Sequence, residues 1–129
     1  MTTTQVESEI ILCVVSALKG ITPYVYYGKS QTVYPKINID LRKIEASDEM
    51  KRYRMTLDYY ANDGQPITVT EMHEAARAIL NGGQAETENG ALITFKEDSS
   101  GGLIEEPQNE KVVHYEDAYE VVYWMNREI

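Results

Sequence analysis

The sequence predicts an α+β domain: an antiparallel sheet of about four to five strands with two helices packed on it, in the order α-β-β-β-α-β-β. Three observations predict it. Residues 35–60 alternate strictly, with Ile37, Ile39 and Leu41 and then Tyr53, Met55, Leu57 and Tyr59 on one side of their strands. Successive side chains leave a strand on opposite faces, so this pattern describes a long hairpin with one apolar face that needs a cover. Two stretches flanking the hairpin repeat apolar residues at steps of three and four, the spacing of amphipathic helices. The chain, 129 residues with 43% hydrophobic and 26% charged content, suits a single domain with one core spanning 1–129.

The first helix is expected over 4–18. Thr4 and Glu7 have the spacing of a capping box, and Val6, Ile10, Cys13, Val14 and Ala17 share a face. Gly20 and Pro23 then stop it. Cys13 reads as a small buried hydrophobe, since no histidine near it in sequence would activate a thiol.

A short strand is expected over 24–27, followed by a turn at GKSQT. Gly28-Lys29-Ser30 looks like the end of a phosphate-binding loop, but Pro23 stands where that motif needs glycine and no helix pattern follows. The hairpin comes next, with its polar tip over 42–51, and ANDGQP at 61–66 is a turn cluster.

The second helix is expected over 68–80. Thr68 and Glu71 form a second capping box, with Thr70 an alternative cap. Val69, Met72, Ala75, Ala76, Ile79 and Leu80 make its apolar stripe, and Asn81-Gly82-Gly83 ends it. His73 is expected at the surface or its boundary. Glu71-Met72-His73-Glu74 lacks the second histidine of a zinc-protease helix, because position 77 is Arg.

Residues 84–95 read either as one irregular strand or as a small hairpin turning at Asn89-Gly90, with 91–95 its firmest part. The stretch 97–111 holds glycines, a proline and many acids, and is expected to be an exposed loop. The final strand is expected over 112–125, with Val113, Tyr115, Tyr119, Val121, Tyr123 and Met125 on one face. Asp117 interrupts that face, which suggests a bulge around Glu116-Asp117-Ala118.

Composition narrows the function. A net charge of -9 disfavours a sequence-reading nucleic-acid binder, which needs cations to displace phosphate counterions. No apolar run has the length of a membrane span. The acidic MTTTQVESEI start argues against a signal peptide, and the single cysteine fits a reducing compartment. The sequence holds ten tyrosines against one Phe and one Trp, so the apolar face of the sheet should be largely tyrosine. No catalytic constellation, cofactor motif or metal-ligand spacing is legible; His73 and His114 are far apart in the chain. The chain therefore reads as a non-enzyme.

The combination of Pro35-x-Ile37-x-Ile39-x-Leu41, a charged tip, Arg52-Tyr53-Arg54-Met55-Thr56-Leu57-Asp58-Tyr59-Tyr60 and a capped helix resembles the tail completion, or tail terminator, proteins of long-tailed bacteriophages and prophages. The resemblance implies a small subunit that forms a ring, commonly of six copies, at the head-proximal end of the tail. That ring would cap the tail tube, stop its growth and join it to the head connector proteins, after assembly in the host cytoplasm. DNA would pass through without specific binding. It also implies contact elements in the hairpin tip (Lys43, Glu45, Asp48, Glu49 and Lys51) and in the 97–111 stretch (Asp98, Leu103, Ile104, Glu105 and Glu106). Two other readings compete. One is an acidic binding or inhibitor protein that neutralises a basic protein partner. The other is a ligand-binding domain with a tyrosine-lined pocket.

Overall fold

The computed structural model describes residues 3–28, 31–62, 64–104 and 111–125. Its elements are α1 (Thr3–Leu18), β1 (Val25–Tyr27), β2 (Lys36–Ala46), β3 (Met50–Asn62), α2 (Val69–Leu80), β4 (Gln84–Glu86), β5 (Leu92–Ile104) and β6 (Val112–Trp124). The class is α+β, with two helices on one sheet. The sheet has six strands in the order β1-β2-β3-β6-β5-β4, more than the expected four to five. It is also mixed: β1 runs parallel to β2, and every other pair is antiparallel.

The alternation in the hairpin becomes the core as expected. Ile37, Ile39 and Leu41 lie opposite Tyr59, Leu57 and Met55, and all are buried. The helices cover this face. Val6, Ile10, Val14 and Leu18 of α1 are fully inaccessible, whereas Cys13 and Ala17 are only half-buried. Each large apolar side chain removed from water here contributes roughly 1.5–3 kcal/mol. The helix already includes Thr3, so Thr4 lies within α1 and is not its cap; the Thr4 side chain is outside the described residues. For α2 the expected box is present: Thr68 is the N-cap and exchanges hydrogen bonds with Glu71. Ile79, placed on the apolar stripe, is exposed, and His73 takes a buried position instead. The Gly28-Lys29-Ser30 turn lies largely outside the described residues.

The 84–95 stretch forms the hairpin of the two alternatives, with β4 antiparallel to β5 and the turn passing through Asn89-Gly90. The expected exposed loop at 97–111 is corrected. Its first half continues β5 as far as Ile104, while 105–110 are outside the described residues. The glycines serve the strand. A Cβ on Gly101 would stand 3.1 Å from the Glu116 carbonyl oxygen, and Gly102 has φ +80°, a conformation that favours glycine. The two accompany register shifts between Glu97 and Ser99 and between Ser100 and Gly102. The irregularity expected in the last strand thus sits across from it. β6 itself pairs with β3 without a break, from Val112↔Asn62 to Trp124↔Met50.

Candidate functional site

The predicted contact residues fall into two groups at diagonal corners of the sheet. Lys43 and Glu45 end β2, Asp48 and Glu49 form the turn, and Lys51 opens β3. The strands run further than a 42–51 tip allows, so the tip is a tight turn. The Ser47 amide donates to the Met50 carbonyl at 2.8 Å, and the Glu49 and Met50 amides donate to Ser47 Oγ. The Met125 amide donates to the Glu49 carbonyl at 2.9 Å, tying the turn to the end of β6. Asp98, Leu103 and Ile104 lie on β5, Asp98 level with the middle of the hairpin and the other two level with its opposite end; Glu105 and Glu106 are outside the described residues. The structure does not bring the two groups together. Asp98 instead pairs with Arg54 of β3, 2.5 Å away across β6.

Each group borders an open sheet edge. β1 covers β2 only at 37–39, and β4 covers β5 only at 92–94. Beyond these, Gly82 and Gly83 exchange backbone hydrogen bonds with Phe95, and Asn81 Oδ1 accepts from the Glu97 amide. Among the described residues, 40–46 of β2 and 98–104 of β5 therefore have no strand on their outer sides. Both carry exposed apolar side chains: Ile44 on the first, Leu103 (66% exposed) and Ile104 on the second. Unpaired strand edges are templates for another chain.

Two polar clusters escaped the sequence reading. Under α2, the Asp117 carboxylate is 1% exposed on the core face of β6. Tyr59 Oη donates to its oxygens at 3.1 and 3.0 Å, and His73 Nδ1 lies 2.5 Å from Oδ2. Tyr115 stacks on the His73 ring, with centroids 4.5 Å apart. Burial pushes Asp117 up to about 6, against the hydrogen bonds from His73 and Tyr59 that hold it down. Burial and the adjacent carboxylate push the Tyr59 phenol far above its ordinary value, so it stays protonated and can donate to Asp117. The set can bridge α2, β3 and β6; no nucleophile stands within its hydrogen bonds. His73 is thus corrected from a surface position. Its partner lies far along the chain, and the only local signal was the interruption of an apolar face by Asp117.

The second cluster lies on the uncovered face. Asp58 and Glu116 are directly opposite across β3 and β6, and His114 Nε2 is 2.7 Å from Asp58 Oδ1. Tyr60 stacks on the His114 ring at 4.1 Å. One ligand atom from each of Asp58, His114 and Glu116 falls within 4.8 Å of the others, a donor set that could hold a divalent cation. Burial raises the Glu116 carboxyl, and the charge and hydrogen bond of Asp58 add to this. Only strand pairing reveals the trio, because Asp58 lies more than fifty positions before His114 and Glu116.

Among the described residues, the two depressions beside α1 are open, and a tyrosine contributes to only one of them. One of about 400 Å³ lies between α1 and the β4–β5 turn, walled by Glu9, Leu12, Cys13, Glu86, Glu88 and Ile93. Another, beside Glu7 and Leu12, includes Tyr27 alone among the tyrosines. The large tyrosines Tyr53, Tyr59, Tyr119 and Tyr123 are spent in the core.

No protein-family model matches the chain, and no curated protein matches it.

Proposed function

We propose that the chain is a structural subunit of a long-tailed bacteriophage or prophage particle, a tail completion protein. Its copies form a ring that caps the tail tube, ends its growth and offers the head connector a docking surface. The observation that carries this reading is the pair of open edges, one on each side of a single sheet. A ring of identical subunits joins head to tail, so each subunit needs two different patches facing opposite ways. β2 and β5 are placed to supply them. Further support comes from the motif strands: Pro35-led β2 pairs along its length with the Arg/Tyr-rich β3, and the last strand lies along β3.

The partners in this reading are other copies of the chain, the tail tube protein and the connector. The Ser47–Met50 turn, closed by its own hydrogen bonds at the end of the hairpin, is suited to the latter two. DNA crosses the ring without specific binding, and the net charge of -9 keeps it from adhering to the wall. An acidic inhibitor would need its acids on one face. The uncovered face here mixes Arg42, Arg52, Arg54 and Lys96 with Asp40, Asp58 and Glu120, which favours the structural reading.

Electron microscopy of particles assembled with and without the chain tests it. Filled heads beside overlong or unattached tails are expected in its absence. Complete virions made without it would defeat the proposal.

A further inference from the structure

We propose that copies of the chain join edge to edge in solution: 40–46 of β2 in one copy pairs antiparallel with 98–104 of β5 in the next. This deepens the ring reading and rests on it for the common orientation of the copies.

The polarity fits. β2 is antiparallel to β3, β3 to β6 and β6 to β5, so β2 and β5 run in opposite directions within one sheet. Copies that keep one orientation around a ring therefore present β2 to a neighbouring β5 as an antiparallel pair.

The hydrogen-bonding groups fit as well. The Ile37 amide donates outward to the Tyr24 carbonyl, so in the alternating antiparallel ladder Leu41 and Lys43 also direct their backbone groups to the open side. Phe95 directs its groups away from β6, toward Gly82 and Gly83. The same alternation carried past the two register shifts makes Ser100 and Leu103 outward-directed. Leu41 and Leu103 also share a side-chain face, because Leu41 lies opposite Met55 and Leu103 opposite Tyr115, both on the helix-covered side. A Leu41↔Leu103 hydrogen-bonded pair satisfies backbone and side chain together. It covers Leu103 with a leucine, sets Ile104 beside Asp40 and places Gly102 beside Arg42.

Charge and shape agree. Edge 40–46 carries Arg42 and Lys43 beside Asp40 and Glu45, and edge 98–104 carries Asp98 and no cation. The edge that holds both cations thus meets one whose single charge is a carboxylate, and no pair of like-charged runs opposes the joint. β1 and β4 block the complementary ends of the two edges, which makes a lap joint. In this register Leu41 is level with Tyr119 of β6 and Leu103 with Tyr115, a step of four residues. That is roughly 13 Å across the roughly 19 Å of the four strands that repeat from copy to copy (β2, β3, β6 and β5), a strand tilt of about 34°, and tilt is how closed sheets absorb a constant stagger.

Proline tests the joint, since it removes a donor and crowds the edge. Lys43→Pro and Leu103→Pro each alter an amide that serves no partner strand within the copy, so the fold is retained. Leu103→Lys is the milder variant should a proline version fail to fold. Sedimentation is measured for the wild-type chain, each variant and an equal mixture of Lys43→Pro with Leu103→Pro. The wild type should form a closed oligomer. Each variant should dissociate at concentrations at least about tenfold higher. The mixture should give a one-to-one dimer and nothing larger, because it retains a single intact pair of edges. A wild type that stays monomeric to millimolar concentration, a variant that keeps the wild-type assembly, or a mixture without the dimer overturns the proposal. The ring reading has a separate fate. Normal particles built from monomeric variants would sink that reading and leave the joint standing; overlong tails on deletion, with assembly intact in both variants, would do the reverse.

Discussion

His73 of α2 and Asp117 of β6 meet in a buried hydrogen bond of 2.5 Å, with Tyr59 of β3 donating to the same carboxylate. This places a polar clamp in the middle of the interface between helix and sheet, where an apolar contact would be the default. Breaking one side leaves a buried charge with too few partners. His73→Leu should therefore cost about 2–4 kcal/mol. Replacing both groups removes the stranded charge, so His73→Leu with Asp117→Leu should recover a substantial part of that loss. Urea unfolding of the three proteins checks this; a double variant as unstable as the sum of its parts would refute it.

The same carboxyl sets a pH dependence. Burial raises Asp117 from its ordinary 3.8 to about 6 in the folded chain. The folded state then holds more protons than the unfolded state between these values. Its contribution is complete below about pH 4 and is lost as pH rises through about 6. Asn at this position does not titrate. The stability of the wild type relative to Asp117→Asn should fall by about 2–3 kcal/mol between pH 4 and pH 6 and level off above. Paired thermal melts across that range provide the measurement, and a difference that rises with pH would contradict the assignment.

At the start of α2, Thr68 Oγ1 accepts from the Glu71 amide at 3.1 Å while Glu71 Oε1 accepts from the Thr68 amide at 3.1 Å. Thr68→Ala strands these end groups and should cost about 1 kcal/mol. Thr70→Ala, at the alternative cap, should cost no more than a few tenths of a kcal/mol. Denaturant midpoints separate the two; equal losses would argue against the box.

Arg54 and Asp98 form a close ion pair, yet both side chains are nearly half exposed. Water and salt screen such a pair, so Asp98→Ala should change stability by no more than about 0.5 kcal/mol. A loss several times larger, persisting in high salt, would mean that Asp98 holds β5 in place.

Legibility followed the range of the interactions. The Thr68 and Glu71 box is local, and so is the alternation of Ile37, Ile39, Leu41, Tyr53, Met55, Leu57 and Tyr59; both could be read directly. The 97–104 stretch could not. Gly101 and Gly102 carry the signal of a loop, but they belong to a strand whose close approach to Glu116 depends on β6. His73 misled for a similar reason. A histidine beside acids on a helix reads as solvated until Asp117, 44 residues away, is seen beneath it. Of the candidate contacts, Lys43, Glu45, Asp98, Leu103 and Ile104 were legible as polar or exposed, but not the open edges on which they lie.

Periodicity and capping by themselves determined that this chain makes two amphipathic helices and a long apolar-faced hairpin, because those signals arise from neighbours within a turn or a pleat. Tertiary structure decided the parallel addition of β1, the insertion of β6 between β3 and β5, and hence the clamp, the Asp58–His114–Glu116 cluster and the two free edges. Each depends on which strand lies beside which. That choice is settled by the burial of the whole apolar face at once, a quantity no local window of residues contains.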